Sequence, residues 1–494
     1  KVHSERDFQR SLARETADLA AHPGPESFGR YGGWKDGPRL EATGFFRTAK
    51  VDGMWWLVDP DGRLFWSAGP NAVRVTEEMT PVTGPGRERW FAWRGWDAPP
   101  WDAFYGRTHA WKGPLRGLDL TGFSFGQANM YRRYGEDWEQ EMVDMAHRRL
   151  RSWGMNTLAN WTDARVCAER RTPYTCNVRY RHPRELWIGD VSDPWGRFID
   201  AFHPAFEAAV TEAMAEEAER SGRDPWCIGY FVDNEMTWQN DVIPRGALSA
   251  PAGTPAKQAF AALLDDRYDG IGELNEAWGT AYADWDALRE SREPPVADRA
   301  RADFDAFTEA MAEQYFSVVH RAVERAAPEH LYLGCRFNTF TAEPARVAAR
   351  YCDVVSYNYY RLPEQVQTFE FPGQADVPIV IGEWHFGAYD RGLFWGGIRE
   401  VEDQAERVAM YKAYMRAALR HPQLVGAHWF RYRSQPVTGR PSNGENAQIG
   451  LVDLCDSPYP ETIAAVRDIA DRMYAIRAGA GGNGRQGPGR DLAR

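Results

Sequence analysis

Gly229-Tyr230-Phe231-Val232-Asp233-Asn234-Glu235 is the stretch from which the fold can be read. An unbroken run of strand length, Ile228–Asp233, is apolar on both faces and then stops in a polar triplet. A strand with no alternation belongs in a sheet covered on both sides, which points to a parallel sheet between helices. Ile379-Val380-Ile381-Gly382-Glu383-Trp384-His385 repeats the pattern later in the chain. Each run places a Glu just past the C-terminal end of a buried strand, where a carboxylate costs free energy unless it is paired or used.

Working outward, similar runs occur at Leu64–Gly69, Met155–Asn160, Leu331–Phe337, Val354–Asn358 and Val425–Phe430. Helical periodicity fills the gaps, clearest at Glu136–Trp153, Pro204–Ser221, Asp303–Ala326 and Glu402–Arg420. A further strand is expected between Trp161 and Phe202, placed at Glu185–Ile188. Strands alternating with helices over this length predict an α/β fold of the (β/α)8 TIM-barrel type. A doubly wound open sheet is the competitor, but no GxGxxG follows the first strand. Before the barrel, a polar helix (Asp7 to Ala21) precedes a β-meander whose turns are Asp52-Gly53 and Asp61-Gly62. The expected units are therefore 1–63 (helix and meander packing on the barrel), 64–477 (barrel) and 478–494, a Gly-rich tail expected to be disordered. Two long insertions, 74–135 and 240–300, follow strands on the face where barrels bind ligands.

Composition narrows the function. The chain has 494 residues, 43% hydrophobic and 26% charged, with a net charge of −11. That acidity disfavours nucleic acid as a partner, because binding needs phosphate-neutralising charge. No apolar stretch reaches the roughly 18 residues that span a bilayer, so no membrane partner is expected. Aromatics are 13% of the chain and Trp, at 21, equals Tyr. Such residues serve packing first, and also make flat platforms for sugar rings. Six cysteines imply no disulfide scaffold, although Cys167 and Cys176 could pair outside the cell. No CxxC or HExxH spacing calls for a metal. The first residues carry no apolar signal core, so an export signal is either removed or was never there.

By strand count, Glu235 and Glu383 end strands four and seven on one rim. A facing carboxylate pair is what cleavage of a glycosidic bond requires: one carboxyl protonates the departing oxygen, and the other attacks the anomeric carbon or activates water. The plainer alternative for each Glu is an ion pair with an arginine inside the barrel.

With these residues in view, the chain resembles the clan A retaining glycosidases, and more closely glycoside hydrolase family 50, the β-agarases. The likeness is carried by Glu41–Phe46, Trp55-Trp56-Leu57-Val58-Asp59-Pro60-Asp61-Gly62, Tyr230–Glu235 and Gly382-Glu383-Trp384-His385-Phe386-Gly387. Gly426-Ala427-His428-Trp429-Phe430 and Gly444–Gly450 continue it, from about Trp34 to about Tyr474. The resemblance implies Glu235 as general acid/base, Glu383 as nucleophile and Asn234 as the holder of a sugar 2-hydroxyl. Asn160, ending strand two, is a further polar group on the rim, or a turn-forming Asn. Its sequon, Asn160-Trp161-Thr162, is read as coincidence. Tyr357 or Tyr359 would hydrogen-bond Glu383, with Tyr357 favoured. Arg336 would lower a neighbouring carboxylate's pKa, or pair with a structural acid. His385 and His428 are expected substrate donors, with packed-core histidines as the alternative, and Trp429 is expected to floor the bound sugar.

Two departures limit the likeness. Members of that family commonly carry a sizeable β-domain before the barrel, here expected to be absent or cut away, and Trp384 stands where Phe is expected. The reading is a retaining β-glycoside hydrolase acting on a galactose-containing polysaccharide or its oligosaccharides, exo-acting because long insertions favour a pocket. It needs no cofactor, since paired carboxylates carry the chemistry. The rivals are an exo-β-galactosidase or other clan A enzyme on a non-agar glycan, and a carbohydrate-binding barrel without turnover. Such a substrate points to a secreted or periplasmic protein, with a cytoplasmic one possible for imported oligosaccharides.

Overall fold

The computed structural model describes residues 2–110, 113–193 and 196–482. An antiparallel meander, β1 (Arg47–Val51), β2 (Met54–Val58) and β3 (Leu64–Phe65), leads into β4 (Ser67–Pro70). The parallel strands that follow are β5 (Tyr174–Val178), β6 (Cys227–Val232), β7 (Leu331–Tyr332), β8 (Val355–Asn358), β9 (Ile379–Trp384) and β10 (Leu424–Trp429). They form two parallel sheets, β5-β6-β7 and β8-β9-β10-β4, so the earliest strand lies beside the latest. Every residue of β6, β9 and β10 is buried, as apolar runs without alternation require.

Between the two sheets the backbone is bonded without forming longer ladders. Asn156 and Ala159 donate their N–H groups to Ala68 and Pro70 of β4 (2.8 and 3.0 Å), and Leu158 accepts from Thr175 of β5 (3.0 Å). On the other side, Phe337 donates to Ser356 and accepts from Asn358 of β8 (2.9 and 2.8 Å).

The main helices are α1 (Glu5–Ala21), α2 (Trp138–Trp153), α3 (Pro204–Ser221), α4 (Arg301–Ala326) and α5 (Gln404–Arg420). Their ends follow local chemistry. Asp403 caps α5 by accepting the Glu406 N–H at 2.9 Å. Pro204 opens α3, where its missing N–H costs nothing. Gly154 ends α2 in the left-handed region (φ +71), and a Cβ there would strike Ala470 and Pro25.

Several expectations are corrected. The run Leu64–Gly69 is divided at Trp66: Leu64–Phe65 completes the meander, and only Ser67–Pro70 joins the parallel sheet. The strand expected at Glu185–Ile188 is instead Tyr174–Val178, entered from Pro173; Arg184–Leu186 is a 3-10 turn leading into an antiparallel hairpin, Trp187–Asp193 with Gly196–Ile199. Cys167 and Cys176 are free thiols, and the sulfur nearest Cys176 is that of Cys227 on the neighbouring strand, 3.9 Å away. The last helix runs Met473–Gly482, into the segment expected to be a disordered tail; residues 483–494 lie outside the described residues. The insertions are structured: 74–135 holds a small antiparallel sheet and the helix Phe125–Tyr134, and 240–300 holds four short helices.

A buried ionic chain ties these layers together. Glu15 of α1 accepts from Arg149 of α2 (2.7 Å), and Arg149 reaches Asp456 (2.8 Å). Asp456 in turn binds Arg433 (2.7 Å), and Arg433 pairs with Glu77, which also accepts from Arg431 (3.1 Å). Burial opposes ionisation of Asp456, yet Arg149, Arg433 and Arg133 hold its carboxyl well below the usual carboxylate range. Glu77 and Arg431 lie in the segments after β4 and β10, so the chain of charges links the N-terminal helix to the rim. Asp456→Ala would leave two buried guanidinium groups without this counter-charge, and is expected to cost about 3–5 kcal/mol in a denaturant titration.

Candidate active site

The turn after β6 carries the first carboxylate. Asp233 (φ +63) and Glu235 (φ +54) both occupy the left-handed region without being glycine, which turns the chain sharply twice around Asn234. The geometry is held by Asp233, whose carboxylate accepts the hydroxyls of Tyr180 and Tyr315, each at 2.7 Å. Glu235 also donates its N–H to the Arg336 carbonyl at 3.3 Å, which brings its backbone over the segment after β7.

Arg336 is the hub. Its Nη2 donates to Glu383 Oε1 at 2.7 Å, and its Nε to Asn234 Oδ1 at 2.8 Å. The other oxygen of Glu383 accepts the Tyr360 hydroxyl. Asn358 completes the set, giving its Nδ2 to Glu235 Oε1 (2.7 Å) and to Asn234 Oδ1 (3.2 Å). Asn71, just after β4, buttresses it by donating to the Gly382 carbonyl at 2.9 Å. The guanidinium itself is sandwiched, with its carbon 4.6 Å from the Trp161 ring centroid and 5.0 Å from that of Phe231. One hydrogen-bonded set therefore joins both carboxylates, and a guanidinium, two amides and a phenol separate their environments.

The electrostatics follow from this asymmetry. Burial and the charge of Glu235 push the Glu383 carboxyl up to about 7, while Arg336 and the Tyr360 hydroxyl pull it down. A cation and a hydroxyl favour the charged form of Glu383, and Glu235 accepts an amide N–H from Asn358.

Of the residues expected at the site, Glu235, Glu383, Asn234 and Arg336 are brought together by these bonds. Asn160 lies at the end of its bonded segment with no exposed surface, and neither amide atom has a hydrogen-bond partner among the described residues. The other expectations are corrected. Tyr357 packs among Phe337, Phe340 and Phe369, away from Glu383, and Tyr359 directs its hydroxyl to Gln365. The phenol on Glu383 is that of Tyr360, because the β8–β9 register shifts after Tyr357.

His385 has no nitrogen left for a sugar: Nδ1 bonds the Phe430 carbonyl (3.0 Å) and Nε2 accepts the Ile398 N–H (2.9 Å). His428 is not overturned in the same way: its Nε2 meets Ser67 Oγ at 2.8 Å in the sheet interior, and its Nδ1 has no partner among the described residues. Burial drops both imidazoles to about 3, so they are neutral. Trp429 faces the covering helix rather than the site, with Arg407 over its ring at 5.2 Å and its indole N–H on the Ile449 carbonyl. The aromatic side chains beside the set are Trp161 and Phe430, edge to face at 5.9 Å. Asn358, Tyr360, Asn71 and Trp161 were not singled out by sequence; the triplet Asn358-Tyr359-Tyr360 at a strand end was the available signal.

Among the described residues no cluster of His, Cys, Asp or Glu is arranged to hold a metal. Two buried carboxyl groups joined through one hydrogen-bonded set at the ends of parallel strands are the equipment of the glycoside hydrolases. Comparison with known proteins agrees. The family model described as beta-galactosidase, glycoside hydrolase family 42, matches residues 197–378. Beta-agarase B of Vibrio sp. (strain JT0107) is 35% identical over 487 residues, covering 90% of this chain and 50% of that one. Beta-agarase A of the same strain is 34% identical, covering 86% of this chain and 45% of that one, so the chain spans about half the length of the curated relatives it matches. A solved structure described as an exo-beta-agarase superposes with a TM-score of 0.88 at 34% identity, over 97% of this chain and 72% of that one. The chain belongs to glycoside hydrolase family 50.

A close contact makes the set testable as a unit. A Cβ on Gly382 would lie 2.9 Å from Asn358 Oδ1 and 3.0 Å from Arg336 Nη1. Gly382→Ala is therefore expected to displace both side chains and to lower stability by about 1–3 kcal/mol in thermal or denaturant unfolding. An unchanged stability would mean that the guanidinium is free to move.

Proposed function

We propose that the chain is a retaining β-glycoside hydrolase of the β-agarase type, built on a (β/α)8 barrel and cleaving a β-linked galactose-containing polysaccharide or oligosaccharide from its end. The observation that carries the reading is the unequal treatment of the two glutamates, with Arg336 and Tyr360 on Glu383 and an amide on Glu235. In this reading Glu235 protonates the glycosidic oxygen while Glu383 attacks the anomeric carbon to form a glycosyl-enzyme. Water then displaces the sugar, giving its proton to Glu235, and the configuration is retained.

Closure of the barrel is supported by the parallel pairing of β4 with β10, and by backbone bonds from 156–159 to β4, from β5 to Leu158, and between Phe337 and β8. The substrate class is supported by likeness to proteins described as agarases, one as exo-acting. Such polymers are met outside the cytosol, which fits a secreted or periplasmic protein. The family 42 match favours one second reading, a β-galactosidase on shorter sugars.

A hydrolysis panel separates these. Agarose oligosaccharides, other galactans and nitrophenyl β-galactoside would be incubated with wild type, Glu235→Gln and Glu383→Gln, and the products read by mass and anomeric configuration. Release of a retained β-anomer from agarose sugars is expected, with both variants down by about 10⁴ or more. Activity on the nitrophenyl galactoside alone would favour the second reading, and an inverted product would sink the mechanism.

The pH profile gives an independent check. The raised carboxyl of Glu383 loses its charge as pH falls through about 7, so kcat/KM should decline on the acid side there. Arg336→Gln removes a group that lowers this pKa, so its acid limb should move to higher pH, with kcat down roughly 10²–10³-fold. A limb that stays put would assign the titration to another group.

A further inference from the structure

The segment Met155–Asn160 ends in Asn160-Trp161, and the structure gives this pair more polar capacity than the protein uses. Asn160 is fully buried, yet neither Oδ1 nor Nδ2 has a partner among the described residues. The buried indole Nε1 of Trp161 is unpartnered in the same sense, and so is Nη1 of Arg336, the guanidinium that lies 4.6 Å from the Trp161 ring. The backbone beneath is firmly tied: the Asn160 carbonyl accepts the Ala72 N–H, and the Trp161 carbonyl accepts Arg74 Nε, both at 2.8 Å. Trp161 also sits at φ +60, a conformation that a bulky residue holds only when its surroundings impose it.

Buried donors and acceptors without partners cost free energy, and natural proteins seldom keep several together without a use. Here two donors and one acceptor belong to a pair of residues whose indole covers the guanidinium that holds Glu383. An amide that both accepts and donates matches two neighbouring hydroxyls, each of which does both.

We propose that Asn160 and Trp161 are specificity-determining residues that read a pair of adjacent hydroxyls on the sugar seated against Glu383. Asn160 Oδ1 accepts from one hydroxyl, and its Nδ2 and the Trp161 Nε1 donate to the two oxygens. The proposal rests on the glycosidase reading above and deepens it. It implies that the enzyme rejects sugars in which one of these hydroxyls is missing or capped, because a site built around hydroxyls leaves its own polar atoms stranded without them.

The test uses Asn160→Leu, which keeps the volume, and Trp161→Phe, which keeps the ring over Arg336 but removes the N–H. Each is compared with wild type in hydrolysis of an agarose-derived tetrasaccharide and in thermal unfolding. Binding of the same tetrasaccharide is measured by calorimetry in a Glu383→Gln background. The expected result for Asn160→Leu is a Tm equal to or above that of wild type, because an orphaned amide has been removed, with kcat/KM lowered about 100-fold. Trp161→Phe should lose about 10-fold with its Tm unchanged, and both should weaken binding. A Tm several degrees lower for Asn160→Leu would make the amide a structural group and overturn the proposal. So would kcat/KM within twofold of wild type in both variants. If wild type neither cuts nor binds the tetrasaccharide, or any other sugar of the panel, the glycosidase reading falls and this proposal with it.

Discussion

The ion pair between Arg336 and Glu383 is the constraint around which the site is organised. Both side chains are buried, and a carboxylate removed from water is costly unless its charge is met at close range. Meeting it here takes a strand-end guanidinium with its own supports: Trp161 and Phe231 on its two faces, Asn234 on Nε and Gly382 left without a side chain. The pair thereby reaches beyond one contact. Through Asn234 and Asn358 it sets the place of Glu235, so the second carboxylate inherits its position from the first.

That set stands on a rim whose segments are joined to distant parts of the chain by charge. Glu77 and Arg431 follow β4 and β10, and the line of ion pairs from them passes through Arg433, Asp456 and Arg149 to Glu15 on the first helix. Hydrophobic packing under the strands is generic in direction. A buried chain of alternating charges is not, since each member accepts only partners of the other sign at hydrogen-bonding distance. The arrangement ties the insertion after β4 to the rim through Glu77.

What was legible in the sequence was whatever depends on chain-local pattern. Apolar runs without alternation marked β6 and β9, and each run delivered its glutamate to the site. What was not legible depends on phase and on partners. At the end of β8 the register shift after Tyr357 moves the phenol on Glu383 to Tyr360, and no periodicity announces that shift. On β10 the alternation sends His428 inward to Ser67 and therefore Trp429 outward to α5, although the motif Gly-Ala-His-Trp-Phe invites both at the site. His385 looks like a ligand in sequence, but two backbone groups contributed by loops far along the chain take both of its nitrogens. The strand Tyr174–Val178 was hidden because its short run follows a proline and contains polar Thr175 and Asn177.

Five non-glycine residues among those described, Ala72, Trp161, Asp233, Glu235 and Arg336, have positive φ and stand at or just beyond strand ends around the carboxylates. Each such conformation costs on the order of 1–2 kcal/mol relative to a relaxed backbone, and that cost is met once, when the chain folds. A loop of flexible glycines could reach the same geometry, but would have to be frozen anew each time a ligand arrived. Side chains locked in the left-handed region have already surrendered that freedom. The ordering entropy of the surface around the carboxylates is thereby charged to folding rather than to association, and a ligand entering it meets walls that do not have to be assembled around it.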